Sequence, residues 1–352
     1  MNSLCSSEKP ALRRLLLLLA LAIWLFPSNA LAQRQPPREL EATARRFAKA
    51  FEKKDWPRAM KLGRQLVELS PQDHVLPYNL ACACALGGEE EQALFWLDRA
   101  AEKGFSDPEG METDEDLAAL RGEPDFAAAL EKVRANERRA RELFREMAAD
   151  SRPLVAVPEG SGPHPVLVLL HGFGDSSPRF GRFFEEFGRR EGLLLVAPTS
   201  VIPTPNGGFE WGHPADARWL VERALAAVEK EYAVDPRRIY LLGFSQGGRM
   251  AFEVGLGLPD RFAGVIAVGT RPSRRALDRA RELGVQAPPF FLMAGNDEPA
   301  GAATREAARV LEMAGLEVRY QIYPNVGHHF PTVWQREIKK AISFFESSKE
   351  GP

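Results

Sequence analysis

Two hydrophobic patterns follow one another along the chain. Over 38–133, apolar residues recur every three to four positions in a background rich in Ala, Leu, Glu and Arg, the spacing of amphipathic helices. Over 153–348, short apolar runs alternate with helical patterns. Short buried runs separated by helices are typical of a mostly parallel sheet with helices on both faces. The chain therefore predicts an all-helical region followed by an α/β domain with a doubly wound sheet.

Seven strands are predicted in the α/β domain, each short enough to be a buried strand. They cover 154–157, 166–170, 193–197, 239–242, 264–268, 290–294 and 318–323. A final helix is predicted over 332–345. Residues 134–152 carry closely mixed positive and negative side chains, which favours a solvated helix linking the two regions.

The helical region contains a spacing that repeats. Ala59 and Ala93 each open the second helix of a predicted pair. The interval between them equals the period of the tetratricopeptide repeat, and this resemblance implies a possible protein partner bound through the repeats. A generic pair of helices is the alternative. Two repeats bury little continuous core, so we expect this unit to be stabilised by further contacts.

Residues 1–32 have the organisation of a secretory signal. Arg13 and Arg14 precede an apolar stretch over 15–26, and small residues end the segment at Ala32. A bilayer-spanning helix needs about 20 apolar residues, so this run is short for a permanent anchor. We expect cleavage after Ala32 and export to the periplasm or the medium, with no stable membrane span afterwards. An uncleaved anchor is the alternative.

Composition excludes several other classes of function. The formal net charge is −2, which gives no electrostatic reason to expect binding to nucleic acid. Of the three cysteines, Cys5, Cys82 and Cys84, none has the spacing of a zinc site. No glycine pattern for a dinucleotide or a nucleotide phosphate is present in the sequence. We therefore expect neither a metal nor a cofactor.

The most informative motif is a serine between two glycines at a predicted strand-to-helix junction. The stretch reads Gly243-Phe244-Ser245-Gln246-Gly247. An apolar strand precedes it and a helix follows, which is the context of a nucleophile elbow. Glycines are needed on either side because so tight a turn leaves no room for side chains. Ser245 is therefore the candidate nucleophile.

A serine hydroxyl needs a base within hydrogen-bond reach and an acid that orients the base. Asp297 follows the predicted strand 290–294, and His328 follows the strand 318–323. The order Ser, Asp, His is that of α/β hydrolases. Glu298 is the alternative acid and His329 the alternative base.

Catalysis of acyl transfer also requires backbone amides for the oxyanion. The strand 166–170 ends in His171-Gly172-Phe173, and we assign the two donors to Phe173 and Gln246. His171 is expected to pack or to hydrogen-bond within this loop. In the loop 199–214, Trp211 is a candidate substrate-binding wall of the pocket, or else a core residue.

With these residues identified, residues 153–348 resemble the esterase branch of the α/β-hydrolase superfamily. They are similar to the phospholipase/carboxylesterase and acyl-protein thioesterase group, with some likeness to polyhydroxybutyrate-depolymerase-like and dienelactone-hydrolase-like esterases. The matching segments are Leu170-His171-Gly172-Phe173-Gly174-Asp175, Ala197-Pro198-Thr199, Gly243-Phe244-Ser245-Gln246-Gly247-Gly248 and Gly327-His328. The resemblance implies Ser245 as nucleophile, Asp297 as acid, His328 as base, and the Phe173 and Gln246 amides as the oxyanion hole.

One departure limits what the resemblance implies. The thioesterases usually carry a Val-Pro pair shortly after the acid, whereas this chain continues Glu298-Pro299-Ala300. The expected substrate is therefore only an ester, small or polymer-linked. A serine peptidase of the prolyl-oligopeptidase type and a catalytically silent interaction protein are the alternative functions.

Overall fold

The computed structural model describes residues 38–205, 207–296 and 299–348. The expected signal at 1–32 lies outside the described residues, as do Asp297 and Glu298. The chain divides into two compact units, residues 1–143 and 144–352. Among the described helices, none has both the length and the apolar composition that crossing a bilayer requires.

Within its described residues, the first unit consists of helices. They are α1 (Arg38–Glu52), α2 (Trp56–Leu69), α3 (Val75–Leu86), α4 (Glu90–Glu102), α5 (Pro108–Thr113), a 3-10 turn (Glu115–Leu120) and α6 (Pro124–Met147). Helix α6 runs through most of the segment predicted as a charged linker, and the division between the two units falls within it.

Small buried residues let the helices of this unit approach closely. Ala59 near the start of α2 and Ala93 near the start of α4 are both fully buried. Cys82 and Cys84 are buried in the same apolar cluster as Ala93, and burial raises the pKa of Cys84 to about 11. The first unit is thus an all-helical region with its own apolar core.

The second unit is built on a mixed, mostly parallel sheet, as predicted. Its strands are β1 (Leu154–Ala156), β2 (His164–Leu170), β3 (Leu194–Ala197), β6 (Val234–Phe244), β7 (Gly264–Val268), β8 (Phe290–Gly295) and β9 (Val318–Tyr323). Their order is β1-β3-β2-β6-β7-β8-β9. All neighbours are parallel except β1, which pairs antiparallel with β3 at the sheet edge.

A separate two-stranded hairpin, β4 (Ile202–Pro203) and β5 (Phe209–Glu210), was not predicted. The helices of the unit are α7 (Ser177–Glu191), α8 (Pro214–Glu231), α9 (Gln246–Gly257), α10 (Arg274–Leu283), α11 (Pro299–Met313) and α12 (Trp334–Ser347), with a 3-10 turn at Gly284–Gln286.

Alternation along β2 shows why the sheet is covered on both faces. Val166 and Val168 belong to one buried cluster, with residues of α8, α9, α10 and α11. Leu167 and Leu169 belong to a second cluster, with residues of α7 and α12. Successive strand residues point to opposite faces, so a continuous apolar run requires apolar cover on each side. This is the doubly wound arrangement of an α/β hydrolase.

Candidate active site

Ser245 occupies a sharp turn between β6 and α9. Strand β6 ends at Phe244 and α9 begins at Gln246. The backbone of Ser245 has φ 55° and ψ −116°, a left-handed region that a residue with a side chain adopts only when its surroundings hold it there. Its amide donates to the carbonyl of Val268, 2.9 Å away on β7. This hydrogen bond to the sheet therefore helps to hold the strained backbone conformation of Ser245 in place.

The flanking glycines are required by close backbone contacts. A Cβ on Gly243 would lie inside the van der Waals radius of the Gly247 carbonyl, and a Cβ on Gly247 would overlap the carbonyl of Leu170. Each obstacle is backbone, which cannot rotate away. The glycines on both sides of the serine thus allow the start of α9 to pack directly against β2.

His328 lies beside this turn. Its Nε2 is 2.8 Å from Ser245 Oγ, and its ring packs 5.0 Å from the ring of Phe244. In the tautomer with the proton on Nδ1, Nε2 accepts the serine O–H. His329 faces elsewhere, since its Nδ1 lies 2.9 Å from the carbonyl oxygen of Phe330. Of the two adjacent histidines, the structure brings His328 to the serine.

Asp297 and Glu298, the two candidate acids, lie outside the described residues. The residues just before them are well defined by their contacts. The amide of Asn296 donates to the Tyr323 carbonyl at 2.9 Å, and Gly295 packs against the carbonyl of Val326 without room for a Cβ. The end of β8 therefore lies against the loop that leads to His328.

The segment after β2 contacts the elbow. A Cβ on Gly172 would lie 3.4 Å from Ser245 Cβ, so the backbone that leads into Phe173 passes next to the serine. The Phe173 side chain is 51% exposed. His171 is fully buried, and its Nδ1 donates to the Gly172 carbonyl at 2.8 Å. Burial lowers the pKa of His171, which keeps the ring neutral.

Trp211 does not form a pocket wall. Its side chain is fully buried, so the ring offers no surface to a substrate, and the prediction of a substrate-binding role is corrected. Its indole Nε1 donates to the His171 carbonyl at 2.8 Å. Its backbone amide donates to Oε1 of Gln246 at 3.2 Å. The alternative reading, a core residue, describes its position.

Two charged residues near the turn at Ser245 were not identified from the sequence. Glu210 on β5 is 8% exposed, and burial raises its pKa, opposed by a hydrogen bond from the Gln246 side chain and by the charge of Arg249. Burial lowers the pKa of Arg249, opposed by the charges of Glu253 and Glu210. No sequence pattern marks either residue, because their proximity depends on the hairpin.

Among the residues that the structure describes, one group of possible metal ligands is found, in the first unit. The ligand atoms of Cys82, Asp114 and Asp116 lie within 4.8 Å of one another. The carboxylate of Asp114 accepts hydrogen bonds from the Tyr78 hydroxyl at 2.7 Å and from the Asp116 amide at 3.2 Å. The latter caps the 3-10 turn, so this carboxylate stabilises local structure.

Comparison with known proteins finds two families and several esterases to which parts of the chain are similar. Residues 211–348 match the model of the dienelactone hydrolase family, and residues 131–270 match that of chlorophyllase. Acyl-protein thioesterase 1 of Neurospora crassa is 26% identical over 212 residues, which are 50% of this chain and 85% of that protein.

Two further similarities were found. "Putative esterase NocK" of Nocardia uniformis subsp. tsuyamanensis is 32% identical over 168 residues, 41% of this chain. The match covers 42% of NocK, so this chain spans less than half the length of that relative. A carboxylesterase structure from Bacillus cereus has a TM-score of 0.43 at 19% identity, covering 59% of this chain and 99% of that one. By sequence, the chain is similar to esterases and to the dienelactone hydrolase family. By its strand order and the helices on both faces of its sheet, the second unit has the α/β-hydrolase fold.

Proposed function

We propose that the chain hydrolyses carboxylic esters through an acyl-enzyme on Ser245. The observation that carries this proposal is the 2.8 Å contact between Ser245 Oγ and His328 Nε2 at a strained strand-to-helix turn. An activated hydroxyl raised above the end of a parallel sheet is suited to attack a carbonyl carbon. The similarity to esterases supports ester substrates.

The reaction has two steps. His328 takes the Ser245 proton as Oγ forms a bond to the ester carbonyl carbon. The resulting oxyanion accepts hydrogen bonds from the Phe173 and Gln246 amides, and His328 then protonates the departing alcohol. Water, deprotonated by His328, attacks the acyl-enzyme and releases the acid and free serine. Asp297 is the proposed partner that stabilises the histidine cation, supported by the position of Asn296 beside the loop leading to His328.

Replacement of Ser245 by alanine tests the proposal. We expect Ser245→Ala to lower kcat/KM for p-nitrophenyl acetate and butyrate by at least about 1,000-fold and to abolish labelling by a fluorophosphonate probe. Ser348→Ala, at the end of the last helix, is the matched control and should leave both unchanged. Undiminished hydrolysis by Ser245→Ala would exclude this function. Faster cleavage of peptidyl-proline anilides than of esters would favour the peptidase instead.

We further propose that the protein is exported and that the segment 1–32 is removed. The support is the sequence pattern of the N-terminal segment. N-terminal sequencing of the protein recovered outside the cytoplasm should begin at Gln33. Recovery of the intact N-terminus in the membrane fraction would indicate an anchor.

The helical unit is proposed to be a short tetratricopeptide-type array that binds a protein partner. The support is the equivalent burial of Ala59 and Ala93, which lie one repeat period apart and each near the start of a helix. Equivalent packing predicts that Ala59→Leu and Ala93→Leu destabilise the unit to a similar extent, by about 1–3 kcal/mol. A large effect at only one position, measured by chemical denaturation, would contradict the repeat.

A further inference from the structure

The hairpin formed by β4 and β5 is attached to the loop that follows β2. Phe209 forms an antiparallel bridge with Asp175: the amide of Phe209 donates to the Asp175 carbonyl at 2.8 Å, and the Gly174 amide donates to the Phe209 carbonyl at 3.0 Å. The hydroxyl of Ser200 donates to the Glu210 carbonyl. The hairpin is therefore fixed to the backbone around it.

Trp211 follows this hairpin directly and joins two segments that are far apart in the sequence. Its indole N–H donates a hydrogen bond to the carbonyl of His171, and its backbone amide donates one to the side chain of Gln246. These segments carry the two amides assigned to the oxyanion hole, those of Phe173 and Gln246. One buried residue thus contacts both halves of the proposed hole.

The physical need for such a contact is clear from the residues involved. Gly172 separates the held carbonyl of His171 from the amide of Phe173, and glycine allows more backbone conformations than any other residue. An oxyanion donor contributes only if it is in place before the charge develops. A hydrogen bond of 2.8 Å to the His171 carbonyl limits rotation of the peptide next to Gly172.

Gln246 is held from a second side by Glu210. The Gln246 side-chain amide hydrogen-bonds to the Glu210 carboxylate while its Oε1 accepts from Trp211. A buried negative charge near the site would oppose an oxyanion. Arg249, one turn further along α9, supplies the opposite charge. The carboxylate therefore fixes Gln246, and the guanidinium reduces its field at the reacting atoms.

We propose that Trp211 is a positioning residue that aligns the two oxyanion donors by clamping His171 and Gln246 to one another. The inference rests on the proposed ester hydrolysis at Ser245. It assigns to the hairpin a role in organising the site.

The test compares Trp211→Phe with Trp219→Phe. Phenylalanine retains a buried ring but lacks the indole N–H. Trp219 on α8 packs against Phe144 and Arg223. We expect Trp211→Phe to lower kcat for p-nitrophenyl butyrate by about 10- to 100-fold with KM within about threefold, and Trp219→Phe to match the parent. A trifluoromethyl ketone, which forms a tetrahedral adduct with the serine, should bind more weakly in parallel with kcat/KM.

A second variant keeps the proposal testable if Trp211→Phe fails to fold. Gln246→Met retains the backbone amide and similar volume but loses both side-chain hydrogen bonds, so it should also lower kcat at nearly constant KM. Parent-like kcat in a folded Trp211→Phe, or in Gln246→Met where the first does not fold, overturns the clamp while leaving the proposed function intact. Full activity of Ser245→Ala, by contrast, would remove the proposed function itself.

Discussion

Ser245 Oγ and His328 Nε2 lie 2.8 Å apart although the two residues are distant along the chain. His329, the next residue, is turned to the Phe330 carbonyl. We therefore expect His328→Ala to lower kcat/KM for p-nitrophenyl acetate by at least about 1,000-fold, since no base remains to accept the serine proton. His329→Ala is the matched control and should retain nearly all activity. The reverse pattern would assign the base to His329.

A similar pair of variants tests which residue is the acid that orients His328. Removing the charge of an orienting acid leaves the histidine without its stabilising partner. Asp297→Asn should lower kcat by about 10³- to 10⁴-fold, and Glu298→Gln should have little effect. Steady-state kinetics on a p-nitrophenyl ester measures both. A large loss of kcat in Glu298→Gln alone would assign the role of the acid to Glu298 instead of Asp297.

Close packing at the elbow leads to a prediction about stability. Gly247→Ala would direct a Cβ at the Leu170 carbonyl, and this clash can be relieved only by separating α9 from β2. We expect a loss of about 3 kcal/mol or more in the free energy of unfolding, measured by urea denaturation. Gly122→Ala in the first unit, whose Cβ would meet nothing within 4 Å, should change it by less than about 0.5 kcal/mol. Equal stability of the two variants would contradict the packing described.

Burial of Glu210 predicts a pH dependence of stability. Its pKa is raised above the ordinary value of 4.5, chiefly by burial, so the folded protein binds this proton more tightly than the unfolded chain does. The stability that Glu210 contributes is therefore fully present below the pKa of this carboxyl in the unfolded chain. It is lost as the pH rises through the pKa of the carboxyl in the folded protein. Relative to Glu210→Gln, the parent should lose stability as pH increases from about 4 towards neutrality.

Urea denaturation of both proteins at several pH values measures this difference. Glu185→Gln, at an exposed position on α7, is the control for loss of one carboxylate. A difference between the parent and Glu210→Gln that is constant with pH would show that burial does not shift this pKa.

The strands of the sheet could be predicted closely because their hydrophobicity is local information. The expected strand 318–323 has the same bounds as β9, and 264–268 has the same bounds as β7. β7 is buried along its whole length, and a strand buried on both faces must be apolar throughout, which makes it visible in the sequence. β9 lies at the edge of the sheet and is largely exposed, so its signal is the alternation of Val318, Tyr320 and Ile322 with polar and aromatic neighbours. The hairpin of β4 and β5 has two residues in each strand, too few for any periodicity.

Trp211 illustrates what local information leaves open. An aromatic residue in a Pro- and Gly-rich loop suits a pocket wall and a core position equally well. Its complete burial results from the hairpin meeting the loop after β2. The same contacts place Glu210 beside Gln246 and Arg249, so the sequence offered no reason to consider either charged residue.

By itself, the sequence determined the succession of helical and α/β regions, the nucleophile motif around Ser245 and the order of the candidate acid and base, because these depend on neighbouring residues and on chain order. Only the tertiary structure decided that His328 rather than His329 reaches the serine and that Trp211 is buried between His171 and Gln246. Those facts depend on contacts between strand ends and loops distant in sequence. The directions of such contacts are fixed by the packing of the whole sheet.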